Sequence, residues 1–151
     1  MAADTIWQFE PLDWGLPMGL GTPPFAAHRF TSAPETAKAT RCFARHTLES
    51  WEFTNKADNA ITVANELVTN AIQHALTRHG DQSAWLALTA LRHSVVCAVN
   101  DPSPRPPRPS APGRLKGRGR GLRIVTALSD EWGYRTLGNG TGKTVWARIS
   151  L

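Results

Sequence analysis

Between residues 102 and 112 the chain reads PSPRPPRPSAP and carries six of its eleven prolines. No other stretch restricts the fold as strongly. Proline has no amide hydrogen and a fixed φ, so this segment cannot be a regular helix or a central strand. Regular structure must form on either side of it. The irregular stretch runs on through GRLKGRGRG. From 102 to 129 there are seven basic residues (Arg105, Arg108, Arg114, Lys116, Arg118, Arg120 and Arg123) and no acidic one. The remaining ten basic residues face all twelve acidic ones, so the net charge of +5 belongs to this segment. Such a segment suits an anionic partner: a phosphate-bearing ligand, an acidic protein or a nucleic acid.

On the N-terminal side, residues 1 to 24 are rich in Pro and Gly without a period, and read as a loosely attached extension whose Trp7, Phe9 and Trp14 can dock on the body. FAAHRFT reads as a short strand. A helix over about 33 to 50 follows, with Ser32 as N-cap, Pro34 in the first turn and Glu35 completing a capping box. Its apolar side is Ala37, Thr40, Cys42, Phe43, Ala44 and Leu48. The next helix has the clearest rhythm, with Ile61, Ala64, Leu67, Val68, Ala71, Ile72, Ala75 and Leu76 on one side and Gly80 as its stop. AWLALTAL and SVVCAVN read as strands joined by a tight connection. Beyond the proline segment, LRIVTALSDEW returns to helical spacing, and EWGYRTL and KTVWARISL form a final hairpin. The order β-α-α-β-β-loop-α-β-β predicts an α+β fold: a two-layer sandwich, its mostly antiparallel sheet carrying helices on one face.

A chain of 151 residues is one domain by length. No apolar run approaches the roughly 18 residues of a membrane span, and the N-terminus lacks the pattern of a signal peptide. The expected location is cytoplasmic. Cys42 and Cys97 are too few for a disulfide framework or a structural zinc site, and read as two buried, reduced thiols.

GNGTGKT at 138–144 looks like a phosphate-binding loop, but fails the test for one. The first glycine should stand at 137, which is Leu137. A helix should follow Thr144, to aim its N-terminus at a phosphate. The alternating VWARISL follows instead, so the glycines read as turn residues.

Chemistry concentrates elsewhere. Glu66, Asn70 and His74 are spaced by four and form one polar stripe on a helix. A solvated helix face gives the same spacing, yet the Asn oxygen can hold Mg²⁺ and the carboxylate can serve as a base. Asp101 ends a buried strand, where it either meets a ligand or starts a turn. GRGRGLRIV combines glycines, arginines and a helix N-terminus, which suits phosphate or a plain solvated loop.

The order ELVTNA, NDPS, irregular loop, GRGLRIV, GKTVWA resembles the GHKL (Bergerat-fold) ATP-binding family, and is most similar to its anti-sigma regulatory factor and serine-protein-kinase branch, of the small stand-alone kind common in actinobacteria. The resemblance covers residues from about 25 to 151. It implies a Bergerat-type histidine-kinase/Hsp90-like sandwich with ATP and Mg²⁺ as cofactors and an ATP lid over about 102–118. By this resemblance Glu66 matches the catalytic base, Asn70 the Mg²⁺ ligand, and His74 the end of the same helix on the phosphate side. Asp101 matches the acceptor of the adenine amino group, and Ser103 the start of the lid. Gly119, Arg120, Gly121 and Leu122 match the glycine motif at the phosphates, and Thr144 the strand threonine near the adenine. Asn65 departs from the small residue that relatives often carry.

The implied function is an ATP-dependent serine/threonine kinase that phosphorylates an antagonist with a STAS domain, sequesters a sigma factor, or both. Relatives commonly form homodimers. A second reading is a nucleotide-dependent interaction module without phosphotransfer. A third is a nucleic-acid binder that uses the basic segment, which lacks the interleaved aromatics for stacking on bases.

Overall fold

The computed structural model describes residues 24–53, 57–76, 82–107, 120–138 and 140–151. The expected extension at 1–24, the stop at Gly80 and most of the basic segment therefore fall largely or wholly outside the described residues. Five strands form one sheet: β1 (Phe25–Phe30), β2 (Ala84–Ala90), β3 (Ser94–Asp101), β4 (Glu131–Thr136) and β5 (Lys143–Ser150). Their order is β1-β2-β3-β5-β4, and every pairing is antiparallel. Among the described residues, three α-helices accompany them: α1 (Thr36–Ser50), α2 (Ala57–Ala71) and α3 (Arg120–Leu128). The α+β class and the antiparallel sheet expected from the sequence are both present.

Strand alternation decides where the core lies. Val95, Cys97 and Val99 of β3 and Val145, Ala147 and Ile149 of β5 join Leu48, Leu67, Val68 and Val125 from the helices in one buried cluster. The intervening Val96, Ala98 and Trp146 lie with Ala87, Phe25 and Ala27 in a smaller cluster. The helices thus cover one sheet face. Each fully buried Leu or Val there contributes about 1.5–3 kcal/mol.

Two helix boundaries differ from expectation. α1 starts at Thr36, with no side-chain cap bond at its N-terminus. Ser32 does not cap it; in the turn before the helix the Thr31 hydroxyl accepts the Ala33 amide at 3.2 Å, and the Thr31 carbonyl accepts the Thr36 hydroxyl at 2.8 Å. Ala33 precedes a proline, which disfavours helical φ/ψ and delays the start. The buried side of α1 is Thr36, Thr40, Ala44, Thr47 and Leu48, so Ala37 is exposed. α3 ends at Leu128 and not at 132. Ser129 turns its hydroxyl back onto the Val125 carbonyl, and β4 begins two residues later.

Both cysteines are free, but only one is buried. Cys42 is exposed on α1. Cys97 is fully buried, its thiol 3.7 Å from the Ala60 carbonyl, and burial pushes its pKa up to about 12. A thiol reacts as its thiolate. A water-soluble alkylating reagent should therefore modify Cys42 alone in the native protein, and Cys97 only after unfolding. Equal rates at both positions in peptide mass mapping would contradict this placement.

Candidate functional site

α2 does not run to its end as an α-helix. At Ile72–Leu76 it passes into a π-turn, a rare widening that is found frequently at functional sites. Asn70 precedes the turn; Gln73 and His74 sit within it. These three form one wall of a cavity of about 440 Å³. Ser103, Arg105, Pro106 and Pro107, which follow β3, form the second wall, and Lys143 of β5 completes it. The volume falls within the roughly 300–1,000 Å³ of small-molecule sites. Arg105 gives the lining a positive character suited to an anion, while the charge of Lys143 is met by Asp101 behind it.

Behind Lys143, sheet register builds a buried ion pair. Asp101, last in β3, pairs directly with Lys143, first in β5. Each is only 3% exposed. Lys143 Nζ donates to Asp101 Oδ1 at 3.0 Å, lies 3.0 Å from Oδ2, and donates to the Ser103 carbonyl at 3.2 Å. The Ser103 amide donates to Asp101 Oδ1 at 2.8 Å. Burial pushes the Asp101 carboxyl above its ordinary value, although the Lys143 charge and the Ser103 amide pull it back in part. Glu66, one turn before Asn70 on the same stripe, is half-buried, and burial raises its carboxyl too.

The sequence profile of the histidine kinase-like ATPase domain matches residues 30–149. The chain belongs to the histidine kinase-like ATPase family. No curated protein matches the sequence. The solved structure of the RsbU and RsbW domains of Rv1364c from Mycobacterium tuberculosis is similar in fold, with 19% identity and a TM-score of 0.62 over 86% of this chain and 33% of that one. This chain thus spans 33% of the length of that neighbour. The Acinetobacter baumannii histidine kinase AdeS matches at 15% identity and a TM-score of 0.40, over 83% of this chain and 67% of that one.

Within this ATPase domain the residues singled out by sequence separate into groups. Asn70, His74 and Ser103 meet at the cavity. Asp101 lies behind Lys143 and does not line the wall. Gly119 is outside the described residues. Arg120 and Gly121 open α3, and Leu122 is buried beneath it at 3% exposure, so any ligand contact by Leu122 runs through its backbone. Asn65 stands about 140° round the helix from Asn70, too far to share its ligands, and its buried side-chain oxygen has no partner among the described residues.

Thr144 is placed differently from expectation. It is fully buried and accepts a hydrogen bond from Asn100 Nδ2 at 3.2 Å, on the opposite sheet face from Asp101. Val145, Ala147 and Ile149 point to the helices, so strand alternation sends Lys143 the same way and Thr144 the other. Lys143 therefore takes the position expected of Thr144. Gly142 makes this contact possible: a Cβ there would stand 2.4 Å from the Asp101 carbonyl oxygen. Gly140, with φ of +71°, belongs to the β4–β5 turn, where the Leu137 amide donates to the Gly142 carbonyl at 2.9 Å. GNGTGKT is a hairpin followed by a strand, as its failure of the phosphate-loop test implied. Sequence reasoning also passed over Gln73, and named Arg105 only as one of the basic segment's cations.

Proposed function

We propose that this ATPase domain binds ATP with Mg²⁺ and acts as a regulatory serine/threonine kinase of the anti-sigma type, phosphorylating a STAS-domain antagonist, sequestering a sigma factor, or both. One observation supports the reading: the polar end of α2, with Asn70 and His74, and the loop that leaves β3, with Ser103 and Arg105, meet around one small-molecule cavity. The resemblance assigns the base to Asp101, which is buried behind Lys143. Asn70, His74 and Arg105 mark the phosphate end.

These residues fit the cofactors. Mg²⁺ binds through few protein oxygens plus phosphates, and Asn70 offers one carboxamide oxygen in the wall. When bound, the ion neutralises charge on the phosphates. Arg105 and the further lid arginines add to that. In phosphoryl transfer the γ-phosphorus leaves the β–γ bridging oxygen and bonds to a serine or threonine oxygen of the partner, and Glu66 takes the hydroxyl proton. A carboxyl raised by burial holds that proton better than a solvated one.

Titration calorimetry with ATP and Mg²⁺ tests the site. Asn70→Ala should weaken binding by about tenfold or more through the lost ion contact. Asp101→Ala should do so through the lost base contact, with circular dichroism confirming that the variant folds. Undiminished affinity in both folded variants would remove the assignment.

A further inference from the structure

The sheet face turned away from the helices carries the smaller apolar cluster, and register sets its centre in a row. Ala27 of β1 pairs with Ala87 of β2, Ala87 with Ala98 of β3, Ala98 with Trp146 of β5, and Trp146 with Gly133 of β4. Three adjacent alanines make a shallow floor. The indole of Trp146 leans towards Gly133, where an added Cβ would meet its Cζ2 at 3.1 Å, and so away from the alanines. Every residue of this cluster belongs to the sheet or to the β2–β3 turn. Neighbours within a sheet stand beside an alanine and not over it. Yet Ala98 is 0% and Ala87 1% exposed. This closure exists in a single chain, so a second copy is not what produces it.

We propose that residues 1–23 dock across this outer sheet face, set aromatic side chains on its alanine floor, and so withdraw the face from other partners. The segments outside the described residues differ in what they can supply. Residues 54–56 (TNK), 77–81 (TRHGD) and 139 (N) hold no large apolar side chain, and 108–119 hold one leucine beside four basic residues. Residues 1–23 hold Trp7, Phe9 and Trp14 among several aliphatic residues. Large side chains interlock with a row of small ones, and each aromatic buries about 150–250 Å². Charge agrees with the apolar fit. Residues 1–23 carry Asp4, Glu10 and Asp13 and no lysine or arginine. Register puts Arg29 and Arg135 on the same face, beside Trp85 and Thr144. The connection is also in place: the Pro24 carbonyl accepts the Ala90 amide at 3.0 Å, which brings the chain in at Phe25, on the margin of the cluster. Five strands about 4.8 Å apart make a sheet about 20 Å wide, which a segment of this length can cross. The docking is independent of what the cavity binds.

Thiol alkylation of the full chain carrying Ala87→Cys tests this, with peptide mass mapping to separate the three thiols. Cys42, exposed on α1, sets the open rate, and Cys97, buried on the helix side, reports that the core is intact. The thiol placed at 87 should react about 100-fold or more slowly than Cys42. Adding Trp7→Ser, Phe9→Ser and Trp14→Ser should raise its rate by about tenfold or more, while Cys97 stays protected. A rate at 87 equal to that of Cys42 before the serines are added overturns the proposal. So does protection at 87 that the serines leave unchanged while Cys97 stays protected. If the serines expose Cys97 as well, that variant has unfolded, and a second measurement decides. Benzoylphenylalanine in place of Trp146, irradiated in the otherwise unaltered full chain, should cross-link to a peptide within residues 1–23 of the same chain. Cross-links to a second copy or to residues 108–119, with none to 1–23, overturn the proposal.

Discussion

Lys143→Met should lower folding stability at neutral pH by about 3–5 kcal/mol, the usual cost of leaving one member of a buried ion pair without its partner. Asp101 is 3% exposed, and Lys143 contacts both of its oxygens. Methionine fills much of the volume but leaves the carboxylate with only the Ser103 amide. At this chain length each kcal/mol moves the melting temperature by about 2–4 °C, so the loss is readable by thermal and urea unfolding. The pH dependence distinguishes electrostatics from packing. Burial already holds the Asp101 carboxyl above its ordinary 3.8. Without the lysine it rises further. A carboxyl with a higher pKa folded than unfolded contributes stability that is complete below the unfolded value and lost as pH rises through the folded one. The deficit of the variant should thus be smallest in acid and grow towards neutral pH. Adding Asp101→Asn should recover part of it, since replacing both members removes the orphaned charge. A deficit under about 1 kcal/mol at neutral pH, or one independent of pH, would mean that the pair is not buried as described.

Much of this fold is legible in the sequence because its signals are local. Short apolar runs mark β2 and β3, alternation marks β5, and the apolar rhythm of α2 needs no tertiary information. The proline segment shows where regular structure stops. What could not be read depends on competition or on distance. Ser32 reads as a cap, but Pro34 restricts Ala33 and delays α1 to Thr36, beyond the reach of a capping hydroxyl. The π-turn at Ile72–Leu76 leaves no mark in a sequence whose apolar spacing continues through it. The placement of β5 between β3 and β4 is a long-range pairing that sets Lys143 opposite Asp101. Thr144 is a different matter. Its orientation was available from Val145, Ala147 and Ile149, whose alternation puts Lys143 on the helix side. The motif resemblance drew attention to the threonine, while strand parity favoured the lysine. Asn70, His74 and Ser103 emerged from the motif because they come from two short segments flanking one strand pair, α2 before it and the loop after it.

Glu66→Gln should reduce phosphotransfer to a cognate STAS-domain serine by about 10²–10⁴-fold, the range expected for a positioned general base, with little change in ATP affinity. Glutamine keeps the shape and hydrogen-bonding reach of the side chain but cannot take a proton. Glu66 sits one helical turn from Asn70, close to the cavity without being in its wall, so base and phosphate contacts should survive its replacement. Burial raises its carboxyl above the ordinary 4.5. Only the ionised form can accept the hydroxyl proton. The wild-type rate should therefore fall as pH drops through that raised pKa, and this acid limb should vanish from the residual rate of Glu66→Gln. The same variant separates a kinase from an interaction module. Loss of transfer together with loss of regulation, while ATP remains bound, marks catalysis as the function. Regulation that continues unchanged without transfer would mean that nucleotide binding alone carries the signal.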